Sequence, residues 1–301
     1  MSDTTQKPVV GIIGLGIMGI AYARNLRKSG FDVVGFDPAD TAQANLRDCG
    51  GRVMDSPRAV AGAADHILIA LASIPVLREV ISGEGGIAQA LRPGMVVAEM
   101  GTLPLDAKED ARVAVAEVGC VLLDCPVSGT GAQAAVGDLV VFASGEADAV
   151  ETIRPVFEGF SREVRAVGPF GTGIKLKFVA NLLVSIHNLA AAEALLYAEK
   201  SGLDLQMVYD AVASGAGTSR MFEVRGPMMI SGDYEPATMK MDIYQKDLTL
   251  IMDHARAIEC PVPLMAATLP YYAAALAQGR HKEDTGALFA VMRHMCAPAK
   301  G

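Results

Sequence analysis

The sequence has no tryptophan and only five cysteines in 301 residues. An odd number of cysteines without a C-x-x-C pair argues against a disulfide framework or a zinc site, so we expect buried free thiols and no bound metal. Basic residues are also scarce, because 26 Lys and Arg stand against 34 Asp and Glu, which gives a formal net charge of −8. The chain therefore shows no basic patch of the kind that binds nucleic acid.

Signals for secretion or membrane insertion are absent from the same sequence. The first ten residues, MSDTTQKPVV, do not follow the charged and then apolar pattern of a signal peptide. We expect no apolar run of this sequence to be long enough to cross a bilayer. These observations predict a cytoplasmic protein with no membrane or nucleic-acid partner.

The first half of the chain alternates short apolar strands with helical segments. Strand patterns occur at residues 9–13, 31–37, 66–72 and 94–100, and further ones follow residue 120. Short, wholly apolar strands that alternate with helices are typical of a parallel sheet covered on both faces. We therefore predict an α/β domain over residues 1–168.

The character of the sequence changes at the glycine-rich segment GPFGTG, which starts at Gly168. A largely apolar stretch follows and ends before Gly202, which predicts a helix of roughly eight turns. Three or four further helical patterns come after it. The second predicted domain, residues 169–301, is therefore all-helical and is joined to the first by a long helix.

A glycine-rich loop, Gly14, Gly16 and Gly19, follows the first predicted strand and opens a helix. In a βαβ unit this spacing predicts a dinucleotide site, in which Gly14 allows the turn, Gly16 lets a pyrophosphate approach and Gly19 allows close packing. Asp37 ends the second strand, 23 residues after Gly14, where an acid binds the adenine ribose hydroxyls and repels a 2′-phosphate. We expect NAD, with NADP less favoured. The alternative is a turn that binds nothing and an aspartate that caps a loop.

Polar residues recur on one face of the long apolar helix. Lys177, Asn181, Ser185 and Asn188 are spaced by four, four and three residues. Such a stripe lines a cleft or meets a second subunit, and a lysine with a lowered pKa could exchange the hydroxyl proton in a dehydrogenase. A solvated, non-catalytic Lys177 is the alternative.

The segment DCPVSGTGAQAAVGD contains consecutive small residues after an apolar strand. Backbone N–H groups of Ser128, Gly129 and Thr130, with the two hydroxyls, could hold a carboxylate. An ordinary turn would use the same residues.

Taken together, these motifs resemble the β-hydroxyacid dehydrogenase family, which includes 3-hydroxyisobutyrate dehydrogenases, tartronate semialdehyde reductases and threonate-type dehydrogenases. The resemblance rests on GLGIMG, DCPVSGTGAQAAVG, GTGIKLKFVAN and the KDL that begins at Lys246, in this order over nearly the whole chain. It implies a Rossmann-type doubly wound domain, an all-α domain and an active site in the cleft between them. It also implies that Lys177 is the general acid/base and that Asn181 assists it. The apolar C-terminal helices separately predict self-association, as a homodimer or homotetramer.

The residues expected at each site follow from the motifs and the resemblance. The expected cofactor-binding residues are Gly14, Leu15, Gly16, Ile17, Met18, Gly19, Asp37, Leu71, Thr102 and Lys246. The expected substrate-binding residues are Ser128, Gly129, Thr130, Asn181 and Arg220. Arg220 is a candidate partner for a substrate carboxylate, and a surface salt bridge is the alternative.

The predicted reaction is hydride transfer between NAD and a small hydroxy acid or semialdehyde, such as 3-hydroxyisobutyrate, tartronate semialdehyde or a threonate-like acid. Thr130 stands where the family often has a second glycine, so it adds a methyl and a hydroxyl beside the substrate. Two alternatives remain at this point. One is an NAD(H)-binding regulator without turnover, and the other is an imine-reductase-like enzyme of the same architecture, which Lys177 disfavours.

Overall fold

The structure, a computed structural model, describes residues 7–296. The chain divides into two compact units, Met1–Lys177 and Phe178–Gly301, and the division falls inside one long helix. This helix, α8, covers Thr172–Lys200, so the last residues of the first unit are its first turns.

The first unit alternates strands and helices as predicted. Its strands β1 to β9 are Val9–Ile13, Asp32–Phe36, Arg52–Val53, His66–Ile69, Val96–Glu99, Val121–Asp124, Val127–Ser128, Val140–Ser144 and Glu163–Gly168. Its helices α1 to α7 are Ile17–Lys28, Asp40–Asp48, Pro57–Ala63, Ile74–Ser82, Leu105–Ala116, Gly131–Ala135 and Ala147–Glu158.

One sheet contains the nine strands found in residues 7–296, in the order β3-β2-β1-β4-β5-β6-β8-β7, with β9 paired to β8. Strands β1 to β6 pair in parallel, which confirms the predicted doubly wound sheet. Strand β8 runs antiparallel to β6 and β7, a mixed edge that the sequence patterns did not indicate. The strand order reverses at β1, between its neighbours β2 and β4. In open α/β sheets, ligands bind outside the carboxyl ends of the strands at such a switch point.

Apolar side chains of the central strands fill a core on each face of the sheet. In β1, Ile12 belongs to one buried cluster and Ile13 to the other. Leu68 and Ile69 divide in the same way in β4. This two-sided burial explains why the strands are continuous apolar runs without an alternating pattern.

The second unit is helical. After α8 it contains α9 to α13 at Leu205–Ala213, Arg220–Ser231, Met241–Ala257, Pro263–Ala277 and Leu288–Met295. Five helices follow α8 within the described residues, whereas three or four were expected.

The additional helix is α10, which contains the Gly226-Pro227 pair. Pro227 lacks the N–H group that would bond the carbonyl of Glu223 one turn earlier. The hydroxyl of Tyr209 donates to that carbonyl at 2.9 Å. A methyl group on Gly226 would come within 2.7 Å of the Tyr209 ring, so the glycine permits this close contact. A helix continues through the pair because a tertiary contact replaces the missing hydrogen bond.

Two sequence expectations need correction. The helix α8 is long and apolar enough to cross a membrane by length and composition, although we expected no such run from the sequence. Its buried polar residues and the packing around it are those of a core helix. The five thiols are free, but only Cys120 and Cys125 are buried, whereas Cys260 and Cys296 are exposed. Cys260 lies in the loop between α11 and α12, and Cys296 is the C-cap residue of α13.

Candidate active site

The glycine-rich loop lies at the carboxyl end of β1, where its three glycines have different surroundings. Gly14 has φ of +88°, and a methyl group there would come within 2.5 Å of the Ala70 carbonyl oxygen. A methyl on Gly19 would overlap the carbonyl oxygen of Gly14. Around Gly16, by contrast, a methyl would meet no atom within 4 Å. Gly14 and Gly19 therefore serve the fold, and the space beside Gly16 is open.

The open space lies at the N-terminus of α1. Gly16 is the N-cap residue, no side chain caps this end of the helix, and the first turn contains no acidic residue. The first amide N–H groups of a helix lack partners within the helix, and its dipole attracts negative charge. This cradle suits the pyrophosphate of a dinucleotide, which fits a helix N-terminus approached over glycine.

Asp37 follows β2 and faces the same loop. One carboxylate oxygen accepts the Leu15 N–H at 2.8 Å, and the other accepts the Ala39 N–H at 2.9 Å. These bonds fix the glycine loop against the end of β2. Each carboxylate oxygen can accept a second hydrogen bond, so Asp37 retains the capacity to bind ribose hydroxyls.

The ends of β4 and β5 complete this edge of the sheet. A methyl on Gly14 would lie 3.0 Å from the Leu71 Cδ2 atom. A methyl on Gly101 would overlap the Leu71 carbonyl oxygen, and Thr102 is the next residue. The structure therefore brings the Gly14 loop, Leu71 and the Gly101–Thr102 turn together.

The loop of Ser128, Gly129 and Thr130 joins β7 to α6 and lies beside the dinucleotide loop. A methyl on Gly131 would come within 2.7 Å of Ile17 Cγ2. Thr130 caps α6, because its hydroxyl accepts the Gln133 N–H, and the Gln133 side chain accepts the Thr130 N–H at 3.0 Å. Its hydroxyl is therefore already used by the fold.

The polar stripe on α8 is buried over its whole length. The exposed fractions are 9% for Lys177, 4% for Asn181 and zero for Ser185 and Asn188. A buried lysine side chain on α8 is not the solvated lysine of the alternative interpretation.

Asn181 is held by a carboxylate of α11 that was not among the predicted site residues. Its side-chain N–H donates to Asp247 Oδ2 at 2.9 Å, and the other oxygen of Asp247 lies 3.1 Å from Lys246 Nζ. Because a carboxylate only accepts, the Asn181 carbonyl oxygen must point away from it. Asp247 was detectable from sequence as the middle residue of KDL, directly after Lys246.

The lower half of the stripe has a structural role. The Ser185 hydroxyl lies 2.9 Å from the Tyr244 hydroxyl, and Asn188 donates to the Thr285 carbonyl at 2.7 Å. Burial raises the pKa of Tyr244, which keeps that phenol neutral. The expectation that the whole stripe lines a cleft or meets a subunit is therefore too broad for Ser185 and Asn188, which satisfy core hydrogen bonds.

Arg220 is not joined to this group. Its side chain is 72% exposed and pairs with Glu223 at 3.0 Å on the surface of α10. The buried arginine of this helix is Arg225, whose Nε donates to Asp284 at 2.9 Å. Burial alone would raise the pKa of Asp284, but Arg225 and several N–H donors outweigh it and lower that pKa. This pair anchors the loop before α11, and sequence spacing gave no sign of it.

A phosphate cradle at the switch point of a doubly wound sheet is the arrangement of a nucleotide-binding Rossmann-type domain. Residues 9–168 match the family described as the NAD binding domain of 6-phosphogluconate dehydrogenase. Residues 171–292 match the family described as NAD-binding of NADP-dependent 3-hydroxyisobutyrate dehydrogenase. The chain belongs to the β-hydroxyacid dehydrogenase family.

Individual relatives cover the chain almost completely. The L-threonate dehydrogenase of Escherichia coli K12 is 35% identical over 96% of this chain and 96% of its own. The 2-hydroxy-3-oxopropionate reductase of the same strain is 32% identical over 95% and 97%. A crystal structure of 3-hydroxyisobutyrate dehydrogenase from Salmonella typhimurium is 33% identical, with a TM-score of 0.85 over 95% of this chain and 100% of that one.

These findings make the chain an NAD(P)-dependent hydroxy-acid dehydrogenase with a small-molecule substrate. A regulator without turnover and an imine reductase are less supported, because these relatives are named as a dehydrogenase and a reductase of hydroxy acids.

Proposed function

We propose that the enzyme oxidises a threonate-like hydroxy acid with NAD and that Lys177 is its general acid/base. The observation that carries this proposal is the burial of Lys177 on the polar stripe of α8, one helical turn before Asn181. Relatives named L-threonate dehydrogenase, at about 35% identity, support the substrate class.

In the oxidation, the substrate alcohol loses a hydride from carbon and a proton from oxygen. The nicotinamide, when bound, supplies the hydride acceptor. Lys177 Nζ, as a neutral amine, takes the hydroxyl proton, and its ammonium form returns that proton in the reverse direction. General acid/base groups typically contribute about 10²- to 10⁴-fold in rate.

Asn181 orients the reacting groups in this proposal. Its amide N–H is bonded to Asp247, so its carbonyl oxygen is the side that faces the substrate hydroxyl or the lysine ammonium. Lys246, which lies 3.1 Å from Asp247 Oδ1, is assigned to the nicotinamide on the strength of the family resemblance.

The cofactor residues proposed are those of the glycine loop and the adjacent strand ends. Amide groups of the Gly14–Gly19 loop bind the pyrophosphate, and Asp37 binds the adenine ribose and disfavours a 2′-phosphate. Leu71 and Thr102 flank the rest of the dinucleotide. The fixed position of Asp37 against the Leu15 N–H supports a preference for NAD over NADP.

The substrate carboxylate is assigned to the Ser128–Thr130 loop. Ser128 Oγ and the Gly129 N–H are its donors, since the Thr130 N–H is bonded to Gln133. Arg220 has no part in this assignment because its observed partner is Glu223.

Replacement of Lys177 by alanine tests the mechanism. NAD reduction at 340 nm is measured with a panel of hydroxy acids, and separately with NADP, for the unmodified protein. We expect kcat/KM to favour NAD, and Lys177→Ala to lower kcat at least 100-fold, in line with the range of about 10²- to 10⁴-fold. Lys177→Arg should fail as well, because a guanidinium does not lose its proton.

The matched control is Lys175→Ala, which removes an exposed lysine two residues earlier on the same helix. It should retain wild-type kcat, and NADH binding should survive in all three variants. A folded Lys177→Ala protein within about tenfold of wild-type kcat, which is below the acid/base range, would refute the mechanism. NADH binding without turnover of any acid would favour the regulator.

Self-association is the second part of the proposal. Val179, Leu183 and Tyr197 lie on one side of α8 with exposed fractions of 57%, 45% and 77%. A run of exposed apolar side chains on one helix face is typical of an interface, so we assign it to a homodimer or homotetramer contact in the cytoplasm. Leu183→Glu should reduce the molar mass in light scattering, whereas Lys175→Glu should not. An unchanged mass for Leu183→Glu would place the interface elsewhere.

A further inference from the structure

Three fully buried ionic side chains lie behind the carboxyl edge of the sheet in the first unit. Lys108 on α5 lies 2.6 Å from Glu99 Oε2 and 2.5 Å from Asp124 Oδ1. All three side chains have zero exposure. Removal of ions from water costs several kcal/mol each, so such a triad is retained only where other hydrogen bonds complete it.

One carboxylate of the triad holds the turn after β5. Glu99 Oε1 accepts the Gly101 N–H at 2.8 Å, and Thr102 follows directly. Burial raises the pKa of Glu99, while Lys108 and the Gly101 N–H oppose that rise.

The other carboxylate holds the start of α8. Asp124 Oδ2 accepts the Ile174 N–H at 2.8 Å and the Ser144 hydroxyl at 3.1 Å. The Ser144 hydroxyl oxygen in turn accepts the Gly173 N–H at 3.0 Å. The Asp124 carboxylate therefore lies at the positive, N-terminal end of the α8 dipole. The amide that it accepts belongs to Ile174, three residues before Lys177.

The Lys108 ammonium links the Glu99 anchor to the Asp124 anchor, because it pairs with both carboxylates. Burial alone would lower the pKa of Lys108, but the two adjacent carboxylates outweigh it and raise that pKa, so the ammonium persists. Without it, two carboxylates would face each other in a site that water does not reach. The position of each anchored segment thus depends on the other carboxylate through Lys108.

We propose that Glu99, Lys108 and Asp124 act as one positioning unit, which fixes the Gly101–Thr102 turn relative to the first turn of α8. The inference rests on the proposed function in that Thr102 and Lys177 are the groups it positions. The three triad side chains have zero exposure, so we assign them a positioning role and no direct contact with substrate or cofactor. Misplacement of a catalytic group by about 1 Å can cost roughly 100-fold in rate, so this unit has a kinetic consequence.

Replacement of Asp124 or Glu99 by its isosteric amide tests the two anchors separately. Each carboxylate faces Lys108 with one oxygen, through a hydrogen bond at Asp124 and an ion pair at Glu99, and accepts a backbone N–H with the other oxygen. An amide must therefore direct its NH₂ group at the lysine or at that N–H. Asp124→Asn should lower kcat by about 10- to 100-fold and leave the KM for NAD within about threefold. Glu99→Gln should raise the KM for NAD by about tenfold and change kcat by less than about threefold.

Hydrogen–deuterium exchange gives a readout that does not require turnover. In Asp124→Asn, the Ile174 amide should exchange at least about tenfold faster, since its acceptor Asp124 is weakened. The Gly173 amide should also exchange faster, because its acceptor, the Ser144 hydroxyl, is itself bonded to Asp124. The control is Val115→Ala, which creates a cavity at a fully buried position on the same helix as Lys108. It lowers stability without touching either anchor, so it should change neither the kinetic constants nor these amides selectively.

Ser144→Ala covers the case in which Asp124→Asn does not fold. It removes the acceptor of the Gly173 N–H and should speed exchange there with a smaller decrease in kcat. The proposal is overturned if exchange at 173–174 is unchanged in the folded variants. It is also overturned if Asp124→Asn and Val115→Ala shift kcat and KM alike. If the wild type oxidises no hydroxy acid, the proposed function fails while the exchange measurement still decides the positioning unit.

Discussion

Replacement of Gly16 by alanine tests the dinucleotide cradle, because the fold has room for a methyl group at this residue and a bound pyrophosphate does not. Gly16 has φ of −65° and ψ of −165°, which alanine adopts without strain. A methyl group there meets no protein atom within 4 Å. The variant should therefore fold normally, with a melting temperature within about 3 °C of wild type.

The same methyl would occupy the space through which a pyrophosphate approaches the α1 N-terminus. We expect the loss of one hydrogen bond from a backbone N–H to a charged phosphate oxygen. Bonds to charged groups contribute about 1.5–3 kcal/mol, which corresponds to a rise in Kd of about 10- to 100-fold. A loss of this size without a loss of stability is the expected signature.

NADH fluorescence titration and thermal unfolding measure the two quantities. Gly62→Ala is the control, because Gly62 is an exposed helical glycine on which a methyl group would likewise meet no atom within 4 Å. It should leave the Kd for NADH unchanged and should not lower the melting temperature, because alanine favours a helix over glycine. Gly19→Ala provides the opposite contrast, since its methyl would overlap the Gly14 carbonyl oxygen and should destabilise the loop itself.

The reasoning would be refuted if Gly16→Ala bound NADH within about threefold of wild type, since that corresponds to well under one charged hydrogen bond. It would also be refuted if Gly16→Ala lowered the melting temperature as much as Gly19→Ala, because the methyl group on residue 16 would then clash with the protein.

Two further predictions concern the substrate loop and the second unit. If the Thr130 methyl narrows the pocket, Thr130→Ser should change the kcat/KM ratio between small and large acids by about tenfold, and its hydroxyl should still cap α6. Thr130→Val keeps the methyl group but loses the cap, so it should keep the ranking of acids and lower the free energy of unfolding by about 1 kcal/mol. An unchanged ranking of acids in Thr130→Ser would indicate that the loop is an ordinary turn that does not shape the substrate pocket. Burial raises the pKa of Tyr272 from 10.0 to about 12, so its neutral form stabilises the fold below pH 10, and this contribution is lost as the pH rises through 12. Two pKa units correspond to about 3 kcal/mol, and urea unfolding between pH 8 and 11.5 should show a smaller alkaline loss for Tyr272→Phe; equal losses would contradict this assignment.

The elements that sequence predicted well are those specified by local pattern. The apolar runs around Ile12 and Leu68, with glycine turns between strand and helix, suffice to indicate a doubly wound sheet. The Gly14–Gly19 spacing likewise locates the cradle at the end of β1. Period and spacing are local properties, and they survive in the folded chain.

The features that sequence did not predict depend on contacts between distant residues. Helix α10 continues through Pro227 because the Tyr209 hydroxyl supplies a donor from another helix. Asp247 binds Asn181 across 66 positions of chain, and Lys108 meets Asp124 across 16. Each residue alone is an ordinary aspartate or lysine, so only the fold shows which partner it has.

Because the boundary between the two compact units falls within α8, the chain is not modular at the point where the two matched families meet. A chimera joined near Gly171 would exchange the whole helix together with the helical unit, and Lys177 would come from the donor. Its first turn would still need the acceptors Asp124 and Ser144, which the recipient supplies. Recombination between relatives should therefore succeed when these two positions travel with the helix, and it should yield folded but slow enzymes when they do not.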